Sequence, residues 1–99
     1  MHARTGTIEL SPDRIDDAVA ALENEQLPRY RETSGYKGFT VLANRSTGKV
    51  IGVSFWESED DLRASEQLGS EARQTAKDAG GGQDDPVRED WEVLLDDMV

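Results

Sequence analysis

The stretch Val50–Asp61 reads VIGVSFWESEDD, and it is the clearest structural signal in the chain. Its first seven residues, Val50–Trp56, are rich in β-branched and aromatic side chains and predict a strand. Ser58 then caps a helix, and the acidic residues Glu59–Asp61 suit the positive end of the helix dipole. The sequence therefore predicts a strand that runs directly into a helix.

Two more strands and a helix precede this junction. Ala3–Leu10 predicts the first strand, and Ser11–Asp13 starts a helix with a capping serine and a proline in its first turn. Pro28 kinks or ends that helix. Gly38–Ala43 predicts the second strand, and the polar turn Asn44–Gly48 joins it to the third as a hairpin. The apolar side of the first helix consists of Ile15, Ala18, Val19 and Leu22.

After the junction, the second helix ends at Gly80–Gly82, and Val87–Leu95 predicts the last strand, with Trp91 in the core. The inward candidates of this helix are Leu62, Ser65, Leu68, Ala72, Ala76 and Ala79. The element order is therefore β-α-β-β-α-β. We expect one α+β, ferredoxin-like domain over residues 1–99, with a four-stranded antiparallel sheet and both helices on one face.

The charge and composition of the chain exclude several functions. The formal net charge is -10, so a basic surface for nucleic acid or for an anionic membrane is not expected. The chain has no cysteine, which excludes disulfides, zinc–thiolate sites and thiol catalysis. Neither a signal peptide nor an apolar stretch of membrane-spanning length is recognisable, so a cytoplasmic location is expected.

One face of the predicted sheet has no helix to cover it. Both sides of the third strand contain apolar residues, but the helices can cover only one side. One side presents Ile51, Val53 and Phe55, and the other presents Val50, Gly52, Ser54 and Trp56. A second copy of the chain is the simplest cover for the remaining side, so a homodimer is expected.

Two short motifs resemble a known family. Trp56–Asp60 is similar to the W-x-S-x-E/D signature of the antibiotic-biosynthesis-monooxygenase-like domains, and Gly35–Phe39 resembles the glycine-plus-aromatic turn that opens their second strand. Element order and length are similar over nearly the whole chain. The resemblance implies a dimeric α+β barrel, in which two sheets close against each other. Members include cofactor-free oxygenases of aromatic polyketides, haem-degrading enzymes and many small proteins without a known role.

The resemblance also implies a pocket between the sheet and the helices. Trp56 would face it, together with Ser54 and Gly52, and its indole N–H would be available to a ligand. Small residues on the second helix face the same layer, which leaves either close packing or a void. They are Ser65, Gly69, Ala72 and Ala76. Tyr36 and Arg73 are further candidates for ligand contact. Core packing for Trp56, a rim or interface position for Tyr36 and an exposed helix charge for Arg73 are the alternatives.

The chain departs from the family at most polar pocket positions. Haem-degrading members use a histidine on the second helix and an asparagine on the first strand, but here the only histidine is His2 and the asparagine position holds Gly6. The polyketide oxygenases have an asparagine where this chain has Gly52, and a tyrosine where it has Leu62. Haem degradation is therefore not expected, and no metal or cofactor is predicted.

Two functional hypotheses follow from this comparison. The first is a homodimer that binds a small molecule, such as a small aromatic ligand, and has no catalytic activity, because only Trp56 persists among the family's pocket residues. The second is a cofactor-independent monooxygenase acting on an aromatic or polyketide-like substrate. In such chemistry the substrate anion reacts with oxygen directly, and the protein supplies shape, water exclusion and a few hydrogen bonds.

Overall fold

A computed structural model describes residues 1–98, and it confirms the predicted order β-α-β-β-α-β. The four strands form one antiparallel sheet in the order β2-β3-β1-β4. They are β1 (His2–Glu9), β2 (Tyr36–Asn44), β3 (Lys49–Trp56) and β4 (Val87–Glu92). The helices are α1 (Ile15–Ala21), α2 (Leu27–Arg31), α3 (Glu59–Ala64) and α4 (Glu66–Gly80). In the described residues, no helix is both long enough and apolar enough to cross a membrane.

The pairing register divides the sheet into two faces. Gly52 of β3 lies opposite Gly6 of β1 and Val41 of β2, so these three residues point to the same side. The inner face, which the helices cover, presents Arg4, Gly6, Ile8, Phe39, Val41, Val50, Gly52, Ser54 and Trp56. The outer face presents Ala3, Thr5, Thr7, Thr40, Leu42, Ile51, Val53, Phe55, Val87 and Trp91. The predicted division of the third strand is thus confirmed.

The core lies between the inner face and the helices. Trp56 is fully buried, and Ile15 of α1 and Leu62 of α3 are nearly so. The strand-to-helix junction forms as predicted, because the Ser58 hydroxyl accepts a hydrogen bond from the Asp61 N–H at 3.1 Å. The predicted second helix is divided into α3 and α4 at Ser65, whose hydroxyl donates to the Leu62 carbonyl at 2.6 Å.

A π-helical segment, Leu22–Gln26, joins α1 to α2 and changes which residues face the core. A π turn includes one more residue than an α turn. The buried positions therefore fall at Leu22, Gln26 and Tyr30, four residues apart. Pro28 lies in the first turn of α2, where its missing N–H is tolerated.

The last strand differs from the prediction. It ends at Glu92, and Trp91 is on the outer face with 50% of its surface exposed, so its predicted place in the core was wrong. The register explains this, because Asp90 pairs with Arg4 on the inner face and Trp91 must then point outward. The Trp91 indole N–H donates to the Thr5 hydroxyl at 2.9 Å.

The outer face keeps large apolar side chains in contact with solvent. Leu42 is 54% exposed and Val87 is 58% exposed. With Trp91, Val53 and Phe55 they form an apolar surface on one side of a sheet that is covered on the other. A single chain therefore leaves half of its sheet unpacked.

Replacing Gly48 by alanine tests the hairpin that aligns β2 with β3. Gly48 has a φ of 83°, and an added Cβ would lie 2.1 Å from the Leu10 carbonyl oxygen. We expect Gly48→Ala to lower the free energy of unfolding by at least about 2 kcal/mol, from backbone strain and overpacking. Gly38→Ala is the matched control, since its nearest neighbour would be 3.8 Å away. Equal urea midpoints for the two variants would contradict this account of the turn.

Candidate functional site

A cavity of about 50 Å³ lies between the inner face and α4. It exists because both layers have small residues there: Gly6 and Gly52 on the sheet, and Gly69, Ala72 and Ala76 on the helix. The remaining lining residues are Arg4, Ile8, Leu22, Tyr30, Phe39, Val41, Val50, Ser54, Arg73 and Pro86. Small facing residues allow either close packing or a void between the layers, and in this protein a void is left.

The predicted ligand residues fall into two groups. Gly52, Ser54 and Arg73 line the cavity, whereas Trp56 and Tyr36 do not. Trp56 lies behind the cavity wall, and its indole N–H donates to the Ser54 hydroxyl at 2.9 Å instead of facing a ligand. This bond orients the Ser54 oxygen, which is the group that the cavity meets.

Four aromatic rings pack together beside the cavity, and two of them, Tyr30 and Phe39, line it. Tyr30 is at their centre, with ring centroids 5.1 Å from Phe39 and 6.0 Å from both Tyr36 and Trp56. Tyr36 and Trp56 also pack edge to face at 5.9 Å. Such tilted pairs are the favourable aromatic geometry. The cluster fixes the position of Tyr30, which is the only one of the two tyrosines that lines the cavity.

Tyr30 was not among the residues predicted for the site. The helical pattern of α1, continued without a break, places Arg29 near the inward side, and the π-helical segment moves Tyr30 there instead. The available signal was the spacing of four from Leu22 through Gln26 to Tyr30. Burial raises the pKa of the Tyr30 phenol to about 12, although the charges of Arg73 and Arg4 act in the opposite direction.

A charged network borders the cavity through Arg4 and Arg73. The Arg4 Nε donates to Asp90 at 2.8 Å, and its Nη1 lies 3.0 Å from the Glu66 carboxylate. Glu66 also accepts from Arg73 at 3.1 Å and from Arg88. The hydrogen bond from Arg4 is the main reason that the pKa of Asp90 is lowered. Arg4 has only 4% of its surface exposed, and a charge buried on this apolar face requires the acids that it pairs with.

Arg73 crosses the floor of the cavity in a slot that two glycines create. A Cβ on Gly6 would lie 3.1 Å from the Arg73 Cδ, and a Cβ on Gly69 would lie 3.1 Å from its Nη1. The guanidinium can therefore lie flat between the sheet and α4. Its side chain is 18% exposed, so the alternative of an ordinary surface charge is wrong.

The lining supplies hydrogen-bond donors and apolar walls. In residues 1–98 no aspartate, glutamate or histidine lines the cavity, and no cluster of such residues could hold a metal ion. A phenol with a pKa of about 12 is protonated at neutral pH and is not a general base there. The site can therefore accept an electron-rich or anionic group, but it lacks an evident proton acceptor.

The fold is shared with many solved structures. The Streptomyces coelicolor monooxygenase ActVA-Orf6, solved with nanaomycin D, superposes with a TM-score of 0.78 at 18% identity, covering 99% of this chain and 91% of that one. A putative antibiotic biosynthesis monooxygenase from Bordetella bronchiseptica superposes with a TM-score of 0.70 at 18% identity, covering 95% of this chain and 97% of that one. This chain folds as an antibiotic-biosynthesis-monooxygenase-like (ABM-like) domain. The ABM-like neighbours also include the Mycobacterium tuberculosis haem degrader MhuD, with a TM-score of 0.71 at 18% identity over 97% of this chain and 98% of MhuD.

The sequence relatives are uncharacterised proteins, so they do not indicate an activity. No family model matches the chain. The uncharacterised M. tuberculosis protein Rv2558 is 30% identical over 95 residues, which are 96% of this chain and 39% of the relative. Rv2557, also uncharacterised, is 28% identical over 93 residues, which are 94% of this chain and 41% of the relative. The ABM-like domain thus spans about two fifths of the length of these relatives.

Replacing Ser54 by alanine tests the bond that orients the cavity wall. Ser54→Ala leaves the buried Trp56 indole N–H without its acceptor, and we expect the free energy of unfolding to fall by about 1–3 kcal/mol. Ser70→Ala, on the exposed side of α4, is the control and should be neutral or slightly stabilising. Unfolding in urea, followed by circular dichroism, measures both. A neutral Ser54→Ala would mean that the indole has another partner.

Proposed function

We propose that this ABM-like domain is a homodimer that binds a small organic molecule, with an aromatic ligand favoured, and that it has no catalytic activity of its own. The supporting observation is the cavity, an apolar space that a few convergent hydrogen-bond donors border. In this proposal Gly52, Ser54 and Arg73 contact the ligand. Trp56 and Tyr36 form the wall behind them. The proposed location of the protein is the cytoplasm.

The outer face supports the homodimer. Its large apolar side chains are exposed in a single chain, and a second sheet packed against them would remove that surface from water. Because the outer face is opposite the cavity, two chains can pack through it and keep both cavities. Dimer formation would also compensate for the small core that a chain with 35% apolar residues can build.

The size of the cavity favours a small ligand. Its 50 Å³ exceeds the roughly 10–15 Å³ that one water molecule needs, but is well below the roughly 150 Å³ of a cavity known to hold benzene. A second cavity of about 40 Å³ lies beyond a shared wall of Leu22, Tyr30, Phe39 and Val41. A one-ring ligand therefore needs modest side-chain movement, and a fused polyketide needs much more.

The second candidate is a cofactor-independent monooxygenase of aromatic or polyketide-like substrates. The flat walls that Tyr30 and Phe39 present beside the Ser54 hydroxyl favour it, because such chemistry depends on shape and a few hydrogen bonds. The lack of a lining proton acceptor in residues 1–98 favours binding alone. Haem does not fit this chain, since the only histidine is His2, on β1, and α4 has no histidine, cysteine or methionine.

Charge placed on the outer face tests the homodimer. We expect light scattering to give twice the mass of one chain for the wild type and the mass of one chain for Val53→Asp, since the change buries a carboxylate in the apolar interface. Ser70→Asp, which adds the same charge on α4, should stay dimeric. A wild-type protein that is monomeric at micromolar concentration would contradict the homodimer.

A fragment titration tests the binding function. We expect one-ring aromatic fragments to shift the amide resonances of Gly52, Ser54 and Gly69, while a methionine in place of Ala72 fills the cavity and removes the shifts. Ala64→Met, on an exposed helix position, is the matched control. Shifts that persist in Ala72→Met would place binding elsewhere. Oxygen uptake with a phenol that oxidises to a quinone, lost in Trp56→Phe, would instead favour the monooxygenase.

A further inference from the structure

The Tyr30 hydroxyl is an unpaired polar group inside the fold. Tyr30 is 3% exposed and lines the cavity, yet its hydroxyl makes no hydrogen bond to any residue in 1–98. Every fully occluded side-chain nitrogen or oxygen in the described chain does have a partner. The Tyr30 oxygen is therefore not sealed in the core, and the accessible space beside Tyr30 is this cavity together with the second one that shares its wall. An unpaired donor in such a place is a position for a ligand atom.

The protonation state of Tyr30 suits a donor. Burial raises its phenol pKa to about 12, so the O–H is intact at neutral pH. Arg73 and Arg4 are close enough for their charges to act on this phenol. The Glu66 carboxylate acts on the phenol in the opposite sense and more weakly, so the two guanidinium groups dominate and the hydroxyl still has a proton to donate.

The two arginines differ in how many donors they have left. Arg4 uses its Nε and both terminal nitrogens on Asp90, Glu66 and Ser65. Arg73 donates only its Nη2, to Glu66, and its Nε and Nη1 have no acceptor in the described chain. Arg73 is therefore the guanidinium that can bind a further oxygen atom.

Local charge permits an anion here in spite of the acidic chain. Three guanidinium groups meet two carboxylates in the network: Arg4, Arg73 and Arg88 against Glu66 and Asp90. Of these five groups only Arg4 and Arg73 line the cavity, so the charged groups that border it directly are positive although the chain has a net charge of -10. An anion that enters the cavity completes the neutralisation.

We propose that Tyr30 and Arg73 together bind the oxyanion of a small aromatic acid, whose ring lies against Gly52 and Ala72. The proposal rests on the binding function proposed above and names the chemical class of the ligand. Tyr30 donates one hydrogen bond to the oxyanion, and Arg73 supplies the charge and a second hydrogen bond. The neighbouring Ser54 hydroxyl is available to the edge of the ring.

Three ligands of nearly the same shape test the charge preference. Benzoate, benzamide and benzamidine are titrated into the 15N-labelled wild-type protein, and the shifts of the cavity amides are followed. We expect benzoate to bind at least about tenfold more tightly than benzamide, since a hydrogen bond to a charged group is the stronger one. Benzamidine should cause no shift in the cavity. Equal affinity for benzoate and benzamide overturns the proposal.

Tyr30→Phe isolates the hydroxyl, because the ring and its aromatic contacts remain. We expect benzoate binding to weaken about tenfold, with the affinity for benzamide changed much less and the melting temperature unchanged or higher, since no protein hydrogen bond is lost. Ser70→Ala removes a hydroxyl from the exposed side of α4, outside the cavity, and should bind benzoate like the wild type. A lower melting temperature together with unchanged benzoate binding in Tyr30→Phe would assign the hydroxyl a structural role and overturn the proposal.

Arg73→Met tests the second member of the pair. Methionine keeps the aliphatic chain over Gly6 and removes the charge, so benzoate should lose its advantage over benzamide. Arg63→Met, an exposed change on α3, should have no effect. Cavity shifts with benzamide but no preference for benzoate would overturn the oxyanion pair and leave the binding function standing. Shifts with none of the three ligands would count against both.

Discussion

The buried guanidinium of Arg4 is the constraint around which the site is arranged. A charge on the inner face of a sheet is tolerated only where counter-charges reach it. Asp90 of β4, Glu66 at the start of α4 and Ser65 at the break between α3 and α4 all contact this one group. The network therefore links the edge strand, the central strands and the helix layer. It also fixes the register that turns Trp91 outward.

The same network explains why the sheet and α4 do not pack tightly against each other. Glu66 holds Arg73 as well as Arg4, and the Arg73 side chain needs the space that Gly6 and Gly69 leave. A side chain at Gly6 would press on the aliphatic part of Arg73, and one at Gly69 would press on its guanidinium group. The small residues are thus matched to large, charged neighbours at one end of the layer. Between Gly52 and Ala72 the facing side chains are too small to close the remaining space, and the cavity remains.

The sequence predicted what short-range patterns determine. The alternation of β3 predicted how its side chains divide into two sets, and Ser58 predicted the helix start, because strand periodicity and capping are local properties. The family resemblance predicted that the set with Trp56 faces the helices. The uncovered outer face followed from the element order. Tyr30 could not be predicted in this way, because one extra residue in the π-helical segment changes the phase of everything after it. Nor could the last strand be oriented, since its faces depend on the Arg4–Asp90 pair across the sheet.

The candidate site combines residues that the sequence indicated with one, Tyr30, that it missed. The resemblance to ABM-like domains correctly indicated the fold and drew attention to Trp56, but the Trp56 indole is bonded to Ser54, and the groups that face the cavity are Ser54, Tyr30 and Arg73. These groups are donors, and no acceptor of a proton lies beside them in residues 1–98. Such a lining suits binding of an anion better than proton abstraction.

A crystal structure of the protein grown with benzoate tests the central claim most directly. The account predicts the ring between Gly52 and Ala72, with carboxylate oxygens within hydrogen-bond distance of both the Tyr30 hydroxyl and the Arg73 guanidinium. It also predicts that the outer faces of two chains pack together. Benzoate bound outside the cavity, or a cavity closed by Arg73 in a crystal that contains benzoate, would contradict it.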